Sequence, residues 1–120
     1  MQSSAQEVLI ANTRKVCSTL RETVEIEDGF GNITFQVHGR SFVKITGRAG
    51  LCLKSNHETQ EILIQKEKFF VTPYIGRHGW ISILNPQEED WGELTELIQE
   101  AYLRAAPKYL VKEWVDLRKI

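Results

Sequence analysis

The sequence predicts an α+β domain of two layers, an antiparallel five-stranded sheet with helices packed on one face, in the order α-β-β-β-α-β-β-α. Three observations carry this. Residues 33–54 form a meander of short period-2 segments joined by glycine turns. Residues 91–105 carry an apolar stripe at helical spacing. Between them, two further strand segments, Phe69 to Val71 and Trp80 to Leu84, feed directly into that stripe. Antiparallel strands interrupted by single helices make a sheet with one covered face and one open face. A chain of 120 residues, 42% hydrophobic and 26% charged, suits one core, so residues 1–120 are read as a single domain.

From Ser4 to about Arg21, Val8, Leu9, Ala11, Val16 and Leu20 recur at roughly helical spacing without Gly or Pro, which predicts an amphipathic helix. The acidic stretch Glu22 to Asp28 and the turn-formers Gly29, Gly31 and Asn32 read as a loop into a strand. Ile33, Phe35 and Val37 then alternate with Thr34, Gln36 and His38. Gly39-Arg40 turns the chain into Ser41 to Thr46, and Gly47 to Gly50 turns it again into Leu51 to Lys54. The interleaved Thr34, Gln36, His38, Arg40, Lys44, Cys52 and Lys54 are expected on the open face. Ser55 with Glu58 forms a capping box for a short helix, with Asn56 as a competing cap. After Phe69 to Val71, Pro73 stops further pairing, and Gly76 and Gly79 bracket Arg77-His78 in a turn. Asp90 with Glu93 is the expected cap of the next helix, where Trp91, Leu94, Leu97, Ile98, Ala101, Tyr102 and Ala105 step by 3 or 4. Pro107 breaks or restarts it, and Tyr109, Leu110, Trp114 and Leu117 continue an amphipathic pattern.

Composition excludes several classes of function. No basic region precedes an apolar run at the N-terminus, and no 18 consecutive apolar residues occur, so the expected location is the cytoplasm. Cys17 and Cys52 stand alone, as free thiols of a reducing compartment do. His38, His57 and His78 lack the spacing of metal ligands, so neither a metal nor another cofactor is expected. Cys52 and His38 on one sheet face admit a thiolate–imidazole pair, but nothing in the sequence orients it, and no catalytic constellation stands out. The glycine pairs at 29–31 and 47–50 are hairpin turns rather than phosphate loops.

A net charge of −1 argues against a general nucleic-acid binder. The charge is nevertheless segregated. Residues 40–54 hold Arg40, Lys44, Arg48 and Lys54 with no acid, and residues 86–100 hold six acids with no base. Phe42, Phe70, Tyr74 and Trp80 lie among these cations and Arg77, an arrangement suited to stacking bases or gripping a peptide, although burial is the commoner fate of single aromatics.

The pattern Phe35-x-Val37-x-Gly39-Arg40-x-Phe42, with Leu51-x-Leu53-Lys54, Pro73-Tyr-Ile, Gly79-Trp80-Ile-x-Ile, Asp90-Trp-x-Glu-Leu-x-Glu-Leu-Ile98 and Ala101-Tyr102, resembles the MmcQ/YjbR family over about residues 5–117. The resemblance implies a fold like that of type secretion chaperones, α-β(3)-α-β(2)-α, and a DNA-binding role, since members are described as predicted DNA-binding proteins. The family's Lys at the second strand stands here as Arg40, and its Ser-Tyr late in the long helix as Ala101-Tyr102. Lys54, Arg77 and Trp80 match family positions. The expected function is therefore a non-enzymatic DNA-binding or regulatory module using Arg40, Lys44, Lys54, Arg77 and Trp80. The alternative is an adaptor that binds an extended protein segment, as the fold's chaperone relatives do, and an uncharacterised enzyme is a third reading. No membrane partner is expected.

Overall fold

The computed structural model describes residues 4–119; Met1 to Ser3 and Ile120 lie outside them. The elements are α1 (Ser4–Cys17), β1 (Thr23–Glu27), β2 (Ile33–Val37), β3 (Arg40–Thr46), β4 (Gly50–Leu53), α2 (His57–Leu63), β5 (Phe69–Val71), β6 (Ile81–Ile83), α3 (Trp91–Ala105) and α4 (Lys108–Leu117). Short 3₁₀ turns occupy Ile75–His78 and Glu88–Asp90. The strands form one antiparallel sheet in the order β1-β2-β3-β4-β6-β5. No helix among the described residues is long and apolar enough to cross a membrane.

The sheet has six strands, not five. The extra one, β1, is the acidic stretch read as a loop, and its register with β2 explains why acids are tolerated there. Glu25 pairs with Phe35 on the helix-facing side, where Arg14 of α1 meets it with two hydrogen bonds, Nε to Oε1 at 2.8 Å and Nη2 to Oε2 at 2.6 Å. Val24 and Ile26 occupy the opposite face and remain exposed. The turn into β2 is organised by Asp28, whose Oδ1 accepts from the backbone N–H groups of Phe30 and Asn32.

Cross-strand rungs place Ile33, Ile45, Leu51, Ile83 and Phe69 in one row, with Phe35, Val43, Leu53 and Ile81 in the next. α3 lies over these rows and buries Leu94, Ile98, Ala101, Tyr102 and Ala105. Trp91 and Leu97, also expected in the stripe, are half-buried at its margins. Tyr102 packs edge-on against Phe42 at a centroid distance of 5.7 Å and donates its hydroxyl hydrogen to Arg21 O at 2.8 Å. This satisfies the one polar atom of an otherwise apolar anchor.

A bulge in β3 alters the predicted faces. The register shifts between Phe35 and Gln36, so that Phe35 pairs with Val43 but Gln36 pairs with Ser41. Phe42 is the extra residue and turns into the core beside Val43, as bulges allow. Strict alternation thus ends at Phe42, and residues before it exchange faces relative to those after it.

Helix starts also differ from expectation. Asn56, not Ser55, caps α2, its side-chain oxygen accepting from Thr59 N at 2.8 Å. Asp90 stands at the N-cap position of α3, as expected, but its side chain makes no capping hydrogen bond to that helix. Its carboxylate accepts from Gln87 N at 2.8 Å, closing a reciprocal box around the preceding 3₁₀ turn. α1 ends at Cys17 rather than near Arg21, and Pro107, with φ −66°, serves as the N-cap residue of α4.

Candidate nucleic-acid interface

Between β5 and β6 the chain makes a loop that is tied down at every step. Thr72 N–H donates to Trp80 O at 3.3 Å, Gly76 N–H to Thr72 O at 2.8 Å, and Gly79 N–H to Gly76 O at 2.9 Å. Beneath it, the buried Gln60 of α2 donates from Nε2 to both Gly76 O (2.8 Å) and Trp80 O (2.9 Å). Gly79 has φ +93°, and a Cβ there would lie 2.8 Å from Asn56 Cα. Only glycine therefore lets the loop lie against Ser55 and Asn56, which brings Lys54 beside it.

Trp80 is 6% exposed and belongs to a second, smaller apolar cluster with Ala49 and Cys52, with Phe70 and Ile75 packed against it. This cluster seals the β4–β6 part of the face expected to be open; the β1–β3 part stays uncovered. Trp80 is thus a core residue of that face rather than a solvent-facing ring. Lys44, which pairs with Cys52 across β3 and β4, holds its Nζ 5.6 Å from the Trp80 ring centroid. Below the ring, Thr72 Oγ1 and Ser82 Oγ share a hydrogen bond of 2.7 Å, and Ser82 Oγ donates to Cys52 Sγ at 3.3 Å. Burial pushes the Cys52 thiol up, with Ser82 and Lys44 pulling partly against it, and burial pushes Cys17 up to about 12. Both are free, buried thiols, an environment that keeps them protonated and inert.

His38 does not meet Cys52. At φ +48° it turns away from the strand, and its Nε2 lies 2.7 Å from Glu22 Oε1 and 2.9 Å from the Tyr109 hydroxyl, which itself donates to Glu22 at 2.6 Å. The hydrogen bonds from Tyr109 and His38 hold the Glu22 carboxyl below its ordinary range. This cluster fastens α4 to the start of β1 and the β2–β3 turn. Among the described residues no group of three or more His, Cys, Asp or Glu side chains is disposed to hold a metal ion.

The other predicted site residues separate into two sets. Lys44 and Lys54 share the face of Cys52 by strand alternation, and Arg77 is exposed on the loop at the Lys54 end of the sheet. Arg40 is exposed at the same end but pairs with Val37, a helix-side position, because the bulge breaks the parity linking it to Lys44. Arg48 sits in the β3–β4 turn at the far end. Among the described residues none of Arg40, Lys44, Arg48, Lys54 and Arg77 has a carboxylate partner. By contrast Arg14, Arg21, Lys66, Lys68, Arg104, Lys112 and Lys119 each do. The acidic start of α3 lies beyond the opposite end of β6 from the loop, and there Lys66 and Lys68 neutralise Glu93 and Asp90.

Sequence reasoning missed Gln60, the Thr72–Ser82–Cys52 chain and the Glu22–His38–Tyr109 cluster. The only sequence trace of the first is a glutamine on the helix side of a short amphipathic segment. The other two join residues up to 87 positions apart.

A family model described as YjbR matches residues 18–104. Among solved structures, the crystal structure of Deinococcus radiodurans protein DR2400, with a DUF419 domain, superposes with a TM-score of 0.66 at 20% identity over 87% of this chain and 86% of that one. That likeness shows a shared fold. No curated protein matches the sequence.

Proposed function

From the premise that this chain belongs to the YjbR family, we propose that it is a non-catalytic nucleic-acid-binding module that meets phosphates with Lys44, Lys54 and Arg77. The observation that carries the reading is the charge pattern. On a molecule of net charge −1, the cations from residue 40 to 54, and Arg77 with them, are left without acids, while those facing α1, α3 and α4 are mostly paired. Unpaired cations at one end of a sheet give a local positive field that paired ones do not.

The test is fluorescence anisotropy with labelled DNA at two or more salt concentrations. Affinity should fall steeply with salt, and Lys54→Ala or Arg77→Ala should each lower the salt slope by about one. Lys15→Ala, on the outer surface of α1, should not change it. A Lys44→Ala, Lys54→Ala, Arg77→Ala triple variant that binds like the parent would eliminate the patch.

A second reading, an adaptor for an extended protein segment, is favoured by one observation. β1 is an edge strand with unpaired backbone groups along its outer side, and Val24 and Ile26 on it are 53% and 46% exposed. A partner strand adding there would cover both. Val24→Lys should abolish such binding and leave nucleic-acid affinity unchanged.

A further inference from the structure

Tyr74 is held in a conformation that neither its packing nor its turn chemistry accounts for. Its backbone stands at φ +67° and ψ −55°, the centre of a three-residue turn closed by Ile75 N–H donating to Pro73 O at 2.8 Å. This positive-φ γ-turn is rare and strained, and glycine, asparagine or aspartate is the usual residue at φ above zero. The tyrosine ring returns nothing to the fold. It is 88% exposed, and no hydrogen bond or ring contact engages it among the described residues. The strain persists because the loop is over-determined around it. Thr72, Gly76 and Trp80 are bonded to one another, and Gln60 holds two of their carbonyls from below. Strain maintained in this way is characteristic of ligand clamps.

Resting on the phosphate-binding reading above, we infer that Tyr74 is a preorganised stacking platform for an unpaired base, and hence that the ligand is a single strand rather than a duplex. A duplex hides its base faces within its own stack, whereas every base of a single strand offers one to an exposed ring. Arg77, three residues on, and Lys54, beside the loop, stand where the flanking phosphates of a stacked strand would pass. Phe30, 92% exposed, is the other strongly exposed aromatic. It lies on an unstrained backbone between Gly29 and Gly31, next to the carboxylates of Glu27 and Asp28, which repel phosphate.

The experiment compares a labelled oligothymidylate with a duplex of equal length, using the parent chain and the variants Tyr74→Ala, Tyr74→Phe and Tyr74→Gly. The parent should bind the single strand more tightly. Tyr74→Ala should lose roughly 5- to 150-fold on the single strand and keep its duplex affinity, and Tyr74→Phe should retain single-strand binding. Tyr74→Gly relieves the positive φ, so it should melt no lower than the parent while binding the single strand more weakly. A purely structural tyrosine would lose affinity only in step with stability. If the parent binds but Tyr74→Ala leaves single-strand affinity intact, or weakens the duplex equally, the platform is overturned and the phosphate reading stands. A parent that binds neither strand form at low salt overturns both.

Discussion

On the helix-covered face of the sheet, Ile33, Phe35, Val43, Ile45, Leu51, Leu53, Ile81 and Ile83 pack against Leu94, Ile98, Ala101 and Tyr102, and none is more than 3% exposed. On the opposite face only Cys52 and Ser82 are buried to that degree, sealed by Trp80, while Thr34, Gln36, Lys44 and Lys54 stay half-exposed. The first face is a continuous apolar interface whose stability scales with buried area. The second is a small apolar plug held in place by hydrogen bonds from a neighbouring helix, with cations around it. The difference shows where stability and binding are separable: the helix side carries the fold, and the loop side is free to carry unpaired charge and strain.

The sharpest challenge to this contrast is deletion at each face. Ile98→Ala should cost about 2–5 kcal/mol in chemical denaturation, because a fully buried side chain leaves a cavity. Leu97→Ala, at the half-buried margin, should cost distinctly less. Equal losses would contradict the placement of the stripe.

Next in size is Gln60. Replacing it by Leu removes one hydrogen bond from each of the carbonyls of Gly76 and Trp80, which keep their bonds from Gly79 N–H and Thr72 N–H, so each lost bond should cost about 0.5–1.5 kcal/mol. The loss should be local. Hydrogen exchange should quicken at Gly76 and Gly79 and stay unchanged in β2 and β3, and uniform acceleration would mean that the loop is part of the main core.

The two thiols probe the two faces directly. Cys17 lies in the main core and Cys52 in the plug. A thiol whose folded pKa is raised gives stability that is complete below the unfolded value and lost as pH rises through the folded one. For Cys17, from the ordinary 9.0 up to about 12, stability should fall across that window by at most about 1.4 kcal/mol per pH unit. Cys17→Ala should remove that share of the decline. Cys52 is raised against the opposing pull of Ser82 and Lys44, so alkylation at rising pH should modify Cys52 first. Earlier modification of Cys17 would reverse the comparison.

Smallest is Lys44→Met, which keeps the stem over Trp80 and removes the cation. It should cost about 0.5–1 kcal/mol, the range of a partly exposed cation–π contact.

Much of the fold was legible in the sequence because packing leaves a periodic trace. The alternation of Ile33, Phe35 and Val37 and the 3–4 spacing from Leu94 to Ala105 are the buried faces themselves. β1 was not legible as a strand, since its acids face α1 and its apolar residues face outward, the reverse of the usual pattern. A single ion pair, Arg14 with Glu25, makes that inversion tolerable. The site was legible only as a list of cations and aromatics.

The sequence by itself determined the class of fold, the two-layer arrangement, the position of α3 and the absence of acids between residues 40 and 54. Each of these is a property of residue type and local spacing. Tertiary structure decided which side chains share a surface. The bulge at Phe42 moved Arg40 to the helix side, the turn of Trp80 into the plug took it from solvent, and Gln60 tied down, at Gly76 and Trp80, the loop in which Tyr74 takes its strained turn. These outcomes depend on register and on contacts between residues distant in the chain. A one-residue shift reverses every face beyond it, and no local pattern records such a shift.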